Sequence, residues 1–248
     1  MPSRAMFAME LPRAAQELVL RVLATPSLRR VPRGDGHPVL VLPGFTGGDG
    51  STRVMRAFLR RLGYYVHAWR LGRNWGPTDR IVDGLADRFV SLYSEHDRKM
   101  SLIGHSLGGI YARELARRAP DMVRQVITLG SPVRASRAYR SNAAPLYRSL
   151  SAIHSERARG AARRSIEELP PRVPVTAIVT RTDGVVDWQG CTVEAGPAAE
   201  CIEVRGSHSG LIHNVAAMQV VADRLALPEG EWRPFSERDG IMARVWTK

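Results

Sequence analysis

From His37 onward, short apolar runs alternate with longer stretches in which apolar residues recur every three or four positions. The short runs, rich in Val and Ile, are Pro38–Leu42, Tyr64–Trp69, Met100–Ile103, Gln125–Leu129, Val175–Val179 and Cys201–Val204. Continuous apolar runs of this length predict strands buried on both faces, as in a parallel sheet covered by helices. The helical stretches are Thr52–Leu62, Asp79–His96, Leu107–Arg118 and Ile212–Leu225. Arg117, Arg118 and Pro120 end the third of these with cations at its C-terminus and a breaker behind them. The pattern predicts an α/β class fold with a mostly parallel sheet of about six strands flanked by helices.

Three segments depart from the alternation. Leu11–Leu28 places Leu11, Ala14, Ala15, Leu18 and Val22 at helical spacing, with Arg13, Gln16, Glu17 and Arg21 between them. It reads as an amphipathic helix that packs through its apolar stripe or pairs with a second copy, and only after that as an interfacial membrane helix. Between Pro132 and Pro174 no strand is evident, and Arg134, Arg137, Arg140, Arg148, Arg157, Arg159, Arg163 and Arg164 face only Glu156 before Glu167. An insertion of that length inside a domain predicts a helical cap over the site, at about 133–173. After Pro228 a loosely packed surface tail is expected, carrying Trp232, Phe235 and Trp246. The division is therefore an N-terminal helical segment at 1–36, an α/β domain at 37–227 and a tail at 228–248.

Composition narrows the partners. Of 248 residues, 44% are hydrophobic and 24% charged, which suits a folded domain. The net charge is +12, and all basic residues but Lys99 and Lys248 are arginine. Such a field attracts anions, yet no zinc-finger spacing, aromatic RNA-binding motif or basic heptad turns it into a nucleic-acid module. A solvated Arg-rich surface comes first, and contact of the Arg-rich cap with an anionic lipid surface second. Met1–Glu10 lacks the apolar run of a secretory signal, and no run approaches the ~20 residues of a membrane span. A cytoplasmic location is expected, with Cys191 and Cys201 as two thiols that could be bridged if oxidised. Two thiols without neighbouring histidines fall short of a metal site, so neither metal nor cofactor is expected. Oligomeric state is not legible.

The chemistry concentrates in Met100–Gly109, where a buried run meets Gly104-His105-Ser106-Leu107-Gly108 and then a helix. This is the G-x-S-x-G nucleophile elbow in its strand–turn–helix context. A serine in a strained turn needs tiny neighbours two positions away so that strand and helix can approach. Its hydroxyl then stands at a helix N-terminus, and the Leu107 N–H can face a developing oxyanion. A second donor belongs on a loop after an earlier strand. Pro43-Gly44-Phe45-Thr46-Gly47-Gly48 follows Pro38–Leu42, and the Phe45 N–H is the candidate. A phosphate loop is the competing reading, but the turn lacks the Gly-Lys-Ser/Thr ending.

The Pro-Gly-Phe turn, the Gly-His-Ser-Leu-Gly-Gly elbow and Gly130-Ser131-Pro132 resemble those of bacterial α/β-hydrolase esterases and lipases, over roughly Pro38 to Leu225. The resemblance implies the α/β-hydrolase fold and a Ser, Asp, His order along the chain. It places the acid after the strand two beyond the serine and the base after the last strand. Asp183 in Thr180-Arg181-Thr182-Asp183-Gly184-Val185-Val186-Asp187 fits the family's Asp-x-x-Val pattern, with Asp187 as the alternative. His208, in Arg205-Gly206-Ser207-His208-Ser209-Gly210, falls where the general base belongs. His213 reads as structural, and His105 is expected to point away from the nucleophile. The family's usual His-Gly before the oxyanion donor is Pro43-Gly44 here, which leaves the subfamily open.

These residues imply ester hydrolysis through an acyl-enzyme, with Ser106, Asp183 and His208 as the triad and Phe45 and Leu107 as oxyanion donors. Trp75, Gly44 and Ile110 are candidates for the acyl pocket wall. Fold and triad equally serve thioesterases and acyltransferases, and a non-catalytic binding protein is the reading from another class. Short- to medium-chain acyl esters are the expected substrates.

Overall fold

The computed structural model describes residues 2–134, 140–150, 153, 154, 156, 160, 172–235 and the backbone of 243–245. Among the described residues seven strands form one sheet: β1 Pro38–Leu42, β2 Tyr65–Ala68, β3 Met100–His105, β4 Val123–Leu129, β5 Val175–Val179, β6 Ala199–Val204 and β7 Ala243–Val245. Their order is β2-β1-β3-β4-β5-β6-β7. The first six run parallel, in the places where the apolar runs predicted them, and β7 joins β6 antiparallel.

Alternation along the strands divides the core into two layers. Val39 and Val41 face one side with Ile103, Ile127 and Ile178, beneath α4 Arg53–Leu62 and α8 Val215–Leu225. Leu40 and Leu42 face the other with Leu102, Val126 and Ala177, beneath α5 Asp79–His96 and α6 Leu107–Arg118. Chain order reverses around β1, which has β2 on one side and β3 on the other. Open α/β sheets bind ligands at the carboxyl ends of the strands beside such a switch point.

The N-terminal segment forms α1 Arg4–Ala8, α2 Glu10–Leu23 and α3 Thr25–Leu28. The orientation of α2 is opposite to the one its apolar stripe predicts. Leu11 is 77% exposed and Leu23 71%, and Leu18, Val19, Leu20 and Val22 also face outward. Its buried residues are Glu10 and Ala14. The reason lies in what it covers, described below.

The C-terminal segment also departs from expectation. Phe235 is buried, its N–H bonds Glu200 at 2.7 Å, and the Arg224 guanidinium lies over its ring at 5.4 Å. With β7 it closes the β6 edge of the sheet. Trp246 lies outside the described residues.

Much of the expected cap, including Arg137, Arg157, Arg159, Arg163, Arg164 and Glu167, lies outside them too. Its described part holds α7 Ala144–Ser149, and Ser141 is bridged to Val186. Cys191 and Cys201 are separate buried thiols, and burial pushes the Cys201 thiol up to about 12. Among the described residues no helix is long and apolar enough to cross a membrane.

Candidate active site

All the residues singled out for chemistry except Ile110, which lies inside α6, are on segments that follow the carboxyl ends of strands. Phe45 follows β1, Ser106 follows β3, Asp183 follows β5 and His208 follows β6. Ser106 adopts φ 51°, ψ −121°, a conformation costly for any residue with a Cβ. Glycines permit the turn. A Cβ on Gly108 would lie 2.4 Å from the Leu42 carbonyl oxygen, and one on Gly104 would lie 2.3 Å from the Gly109 backbone. The strand therefore touches the following helix, and the elbow is held tight. The Ser106 N–H bonds the Leu129 carbonyl at 2.8 Å, which anchors the turn on β4.

His208 Nδ1 and Asp183 Oδ2 are 2.6 Å apart, and both side chains are buried. The other carboxylate oxygen of Asp183 accepts the N–H groups of Val185 and Val186, each at 2.8 Å. Asp187, the alternative acid, instead caps the short helical turn Trp188–Cys191 by accepting the Gln189 N–H. Because Asp183 accepts the Nδ1 proton, Nε2 of His208 is the free acceptor of the neutral ring. Burial alone would disfavour the charged ring. Charge and hydrogen bonding from Asp183, with a further contribution from Glu10, outweigh it and raise the His208 pKa above 6.5.

Gly44 lies against Ser106: a Cβ there would come 3.0 Å from the Ser106 Cβ. Phe45 is thereby brought beside Ser106. Leu107 is the first residue of α6, where N–H groups lack intrahelical acceptors. Among the described residues neither the Phe45 nor the Leu107 N–H has an acceptor. The Phe45 ring meets Tyr147 of α7 edge-on, with centroids 5.3 Å apart. Tyr147 thus brings α7 against the Pro43–Gly47 loop.

Trp75 is 39% exposed, with the Arg73 guanidinium 5.4 Å over its ring. Its carbonyl accepts a bond from His154 Nε2 at 2.8 Å, so it ties a cap residue to the loop after β2. Ile110 is buried in the core layer of α5 and α6. An open cavity of about 740 Å³, lined by Phe7, Pro132, Arg140 and Val186 among others, is bordered by neither Ser106 nor His208.

Several residues on which this arrangement depends were not singled out by the sequence. Asn74 is wholly buried and fixes the Pro43–Gly47 loop: its side chain donates to the Pro43 carbonyl, and its backbone exchanges 2.7 Å bonds with Thr46 and Gly47. His105 turns to the base loop: its Nε2 donates to the His208 carbonyl at 2.8 Å. Burial pulls the His105 pKa down to about 4, so this donor is a neutral ring. Gly130 passes beneath the His208 ring, where a Cβ would lie 3.1 Å from its Nδ1.

Three side chains of α2 reach the same loops. Glu10 accepts the N–H groups of Gly184, His208 and Ser209 at 2.9, 3.1 and 2.8 Å. Arg13 donates to the carbonyls of Thr182 and Gly206. Glu17 accepts from the Ser207 N–H and hydroxyl and from the Asn214 amide. His213 Nε2 donates to the Ala14 carbonyl, which gives it the structural role expected.

A second Asp–His–Ser line crosses the opposite edge of the sheet. Asp35 Oδ1 meets His37 Nδ1 at 2.5 Å, and His37 Nε2 meets Ser101 Oγ at 2.8 Å. His37 and Ser101 have no exposed surface, and Arg124 bonds the other oxygen of Asp35. A nucleophile sealed from solvent reaches no substrate, so this line ties β1 to β3.

Comparison with known proteins fits this geometry. Residues 78–191 match the family described as a PGAP1-like alpha/beta domain. A carboxylesterase of Bacillus subtilis (strain 168) is 26% identical over 109 residues, covering 41% of this chain and 44% of that protein. A triacylglycerol lipase of Pseudarthrobacter phenanthrenivorans is 32% identical over 109 residues, covering 40% and 34%. The chain therefore spans less than half the length of these curated relatives. Among solved structures, the mature lipase of Bacillus licheniformis superposes with a TM-score of 0.58 at 17% identity, over 79% of this chain and 95% of that one. At that identity the superposition establishes the fold.

Proposed function

We propose that this chain, which has the α/β-hydrolase fold of the esterases and lipases it is similar to, hydrolyses carboxylic esters with Ser106 as nucleophile. The observation that carries the reading is the buried His208–Asp183 pair, set at the same sheet edge as a serine in a strained elbow. His208 Nε2 takes the proton from Ser106 as Oγ attacks the ester carbonyl. The Phe45 and Leu107 N–H groups receive the tetrahedral oxyanion. His208 then returns its proton to the leaving alcohol, and water repeats the cycle on the acyl-enzyme. No hydrogen bond joins Ser106 to His208 in the substrate-free protein, and that contact commonly tightens when substrate binds. Asp183 holds the ring in the tautomer the reaction needs and stabilises the imidazolium.

Acyl esters of short to medium chain are the substrates proposed, and similarity to a carboxylesterase and to a triacylglycerol lipase supports an ester substrate. Assay of p-nitrophenyl esters from butyrate to palmitate tests it. Turnover peaking below the long-chain esters is expected. Absence of turnover on every ester by folded protein would overturn the hydrolase reading, and transfer of the acyl group to added alcohol in preference to water would replace it with an acyltransferase.

The pH profile follows from the same pair. The base acts as the neutral ring, so kcat/KM falls as pH drops through the His208 pKa. Because that pKa is raised, the half-height of the acid limb lies above pH 6.5. A limb centred below 6.5 would show that Asp183 and Glu10 do not raise the ring's pKa, and an acid limb unchanged in His208→Gln would remove His208 as the titrating base.

A further inference from the structure

Burying a carboxylate is costly unless its oxygens are fully engaged. Glu10 is 4% exposed, and each of its oxygens is taken by N–H groups of the loops that carry Asp183 and His208. One oxygen bridges them, accepting from Gly184, next to the acid, and from His208 itself. Glu10, Arg13 and Glu17 lie at i, i+3 and i+7, so one face of α2 presents all three. Gly184, Gly206 and Gly210 let the N-terminal helices come close. A Cβ on Gly184 would lie 2.5 Å from the α1 backbone, and one on Gly210 2.5 Å from Glu17 Oε2.

We propose that Glu10 is a positioning residue for the proposed hydrolase. Its carboxylate locks the acid loop to the base loop, fixes the backbone of His208 and holds a negative charge beside the ring. The inverted orientation of α2 follows from this. The loops offer N–H donors, which an apolar stripe could not satisfy, so the helix turns its carboxylates inward and its leucines outward. The inference rests on His208 acting as the base. The titratable and charged groups around that ring are Asp183 from the loop after β5, His105 from the end of β3, and Glu10, Arg13 and Glu17 from α2, with His213 further along its own loop.

The test compares Glu10→Gln, Glu10→Asp and Leu11→Gln with the wild type by ester kinetics and by NMR titration of the His208 ring. Glu10→Gln removes the charge and turns an amide NH₂ toward backbone donors. It is expected to lower kcat about 10- to 100-fold, the scale of a small misplacement of a catalytic group, with KM little changed. Losing a negative charge disfavours the imidazolium, so the acid limb and the NMR midpoint of His208 move to lower pH. Glu10→Asp keeps the charge but shortens the reach, so kcat falls while the midpoint stays nearer the wild type. Leu11→Gln, on the outer face, leaves both unchanged.

A folded Glu10→Gln protein with wild-type kcat and an unmoved midpoint would overturn the proposal. If Glu10→Gln does not fold, Glu10→Asp decides, and wild-type kcat in that variant overturns it. The NMR midpoint is read without substrate. A wild type inactive on esters would therefore sink the hydrolase reading while still testing the effect of Glu10 on the His208 ring.

Discussion

Ser106→Ala loses roughly 10⁶-fold in kcat on the best p-nitrophenyl ester, the scale seen when the nucleophile of a triad acting as one unit is removed. The substitution takes away one oxygen and leaves the rest in place. Alanine keeps a Cβ, so the turn at φ 51°, ψ −121° carries the same strain. His208 remains bonded to Asp183, and the Phe45 and Leu107 N–H groups remain where they were. KM therefore stays within a few-fold of the wild type, while the acyl-enzyme cannot form. What survives is the roughly 10³- to 10⁴-fold advantage over water that binding and oxyanion donors supply without a nucleophile. Residual kcat above about one hundredth of the wild type would assign the chemistry to another group.

Gly104→Ala is read most directly as a loss of stability, although the same clash also displaces the elbow around Ser106. The added Cβ would sit 2.3 Å from both Cα and N of Gly109 and 2.4 Å from the Gly108 carbonyl oxygen. These are backbone atoms, which no rotamer change can move. Relief requires α6 to lift from β3, and α6 contributes Leu107, Ile110, Ala112 and Leu115 to the core. Overpacking costs typically about 1–3 kcal/mol, and a clash of backbone with backbone belongs at or beyond the upper end. For a domain of this size that lowers Tm by about 6–12 °C. Gly50→Ala is the control, since a Cβ there meets nothing within 4 Å. Thermal unfolding followed by circular dichroism reads both. A Gly104→Ala protein melting with the wild type would show that the strand and helix are not held by this contact.

The sequence was most informative where one physical requirement dominates. Six apolar runs stand at the six parallel strands, and β1, β3, β4 and β5 at the centre of the sheet are buried on both faces, while β2 at the edge leaves Tyr65 exposed. The elbow requires glycine on either side of Ser106, so its spacing is visible without a structure. Asp183 and His208 stand out because each follows a strand in the order the family resemblance implies, and the structure brings their side chains together. β7 was missed because three residues, Ala243–Val245, carry too little pattern and depend on the β6 edge for pairing. Asn74 reads as an ordinary loop residue until the Pro43 carbonyl it satisfies is seen. His105 sits beside the serine, but its role depends on a carbonyl 103 positions away. The error at α2 is the most informative. Its apolar period was read correctly, but periodicity assumes that a helix covers apolar surface. This one covers loops rich in N–H groups, and hydrogen-bond demand reversed its orientation.

That reversal bears on how the chain assembles. The groups that seat α2 lie 169 to 199 positions further along the chain. During synthesis the helix therefore leaves the ribosome long before anything it can dock on exists. Fourteen residues are marginal as an isolated helix in water, and contacts so distant in sequence close only after more local structure has formed. Until then its leucines and valines have neither a core nor a fixed polar face to order them, which is the kind of exposed apolar segment that draws chaperones or aggregates. The helix is thus made well before the loops it seats on, and the loops bearing Asp183 and His208 gain these bonds only when it docks.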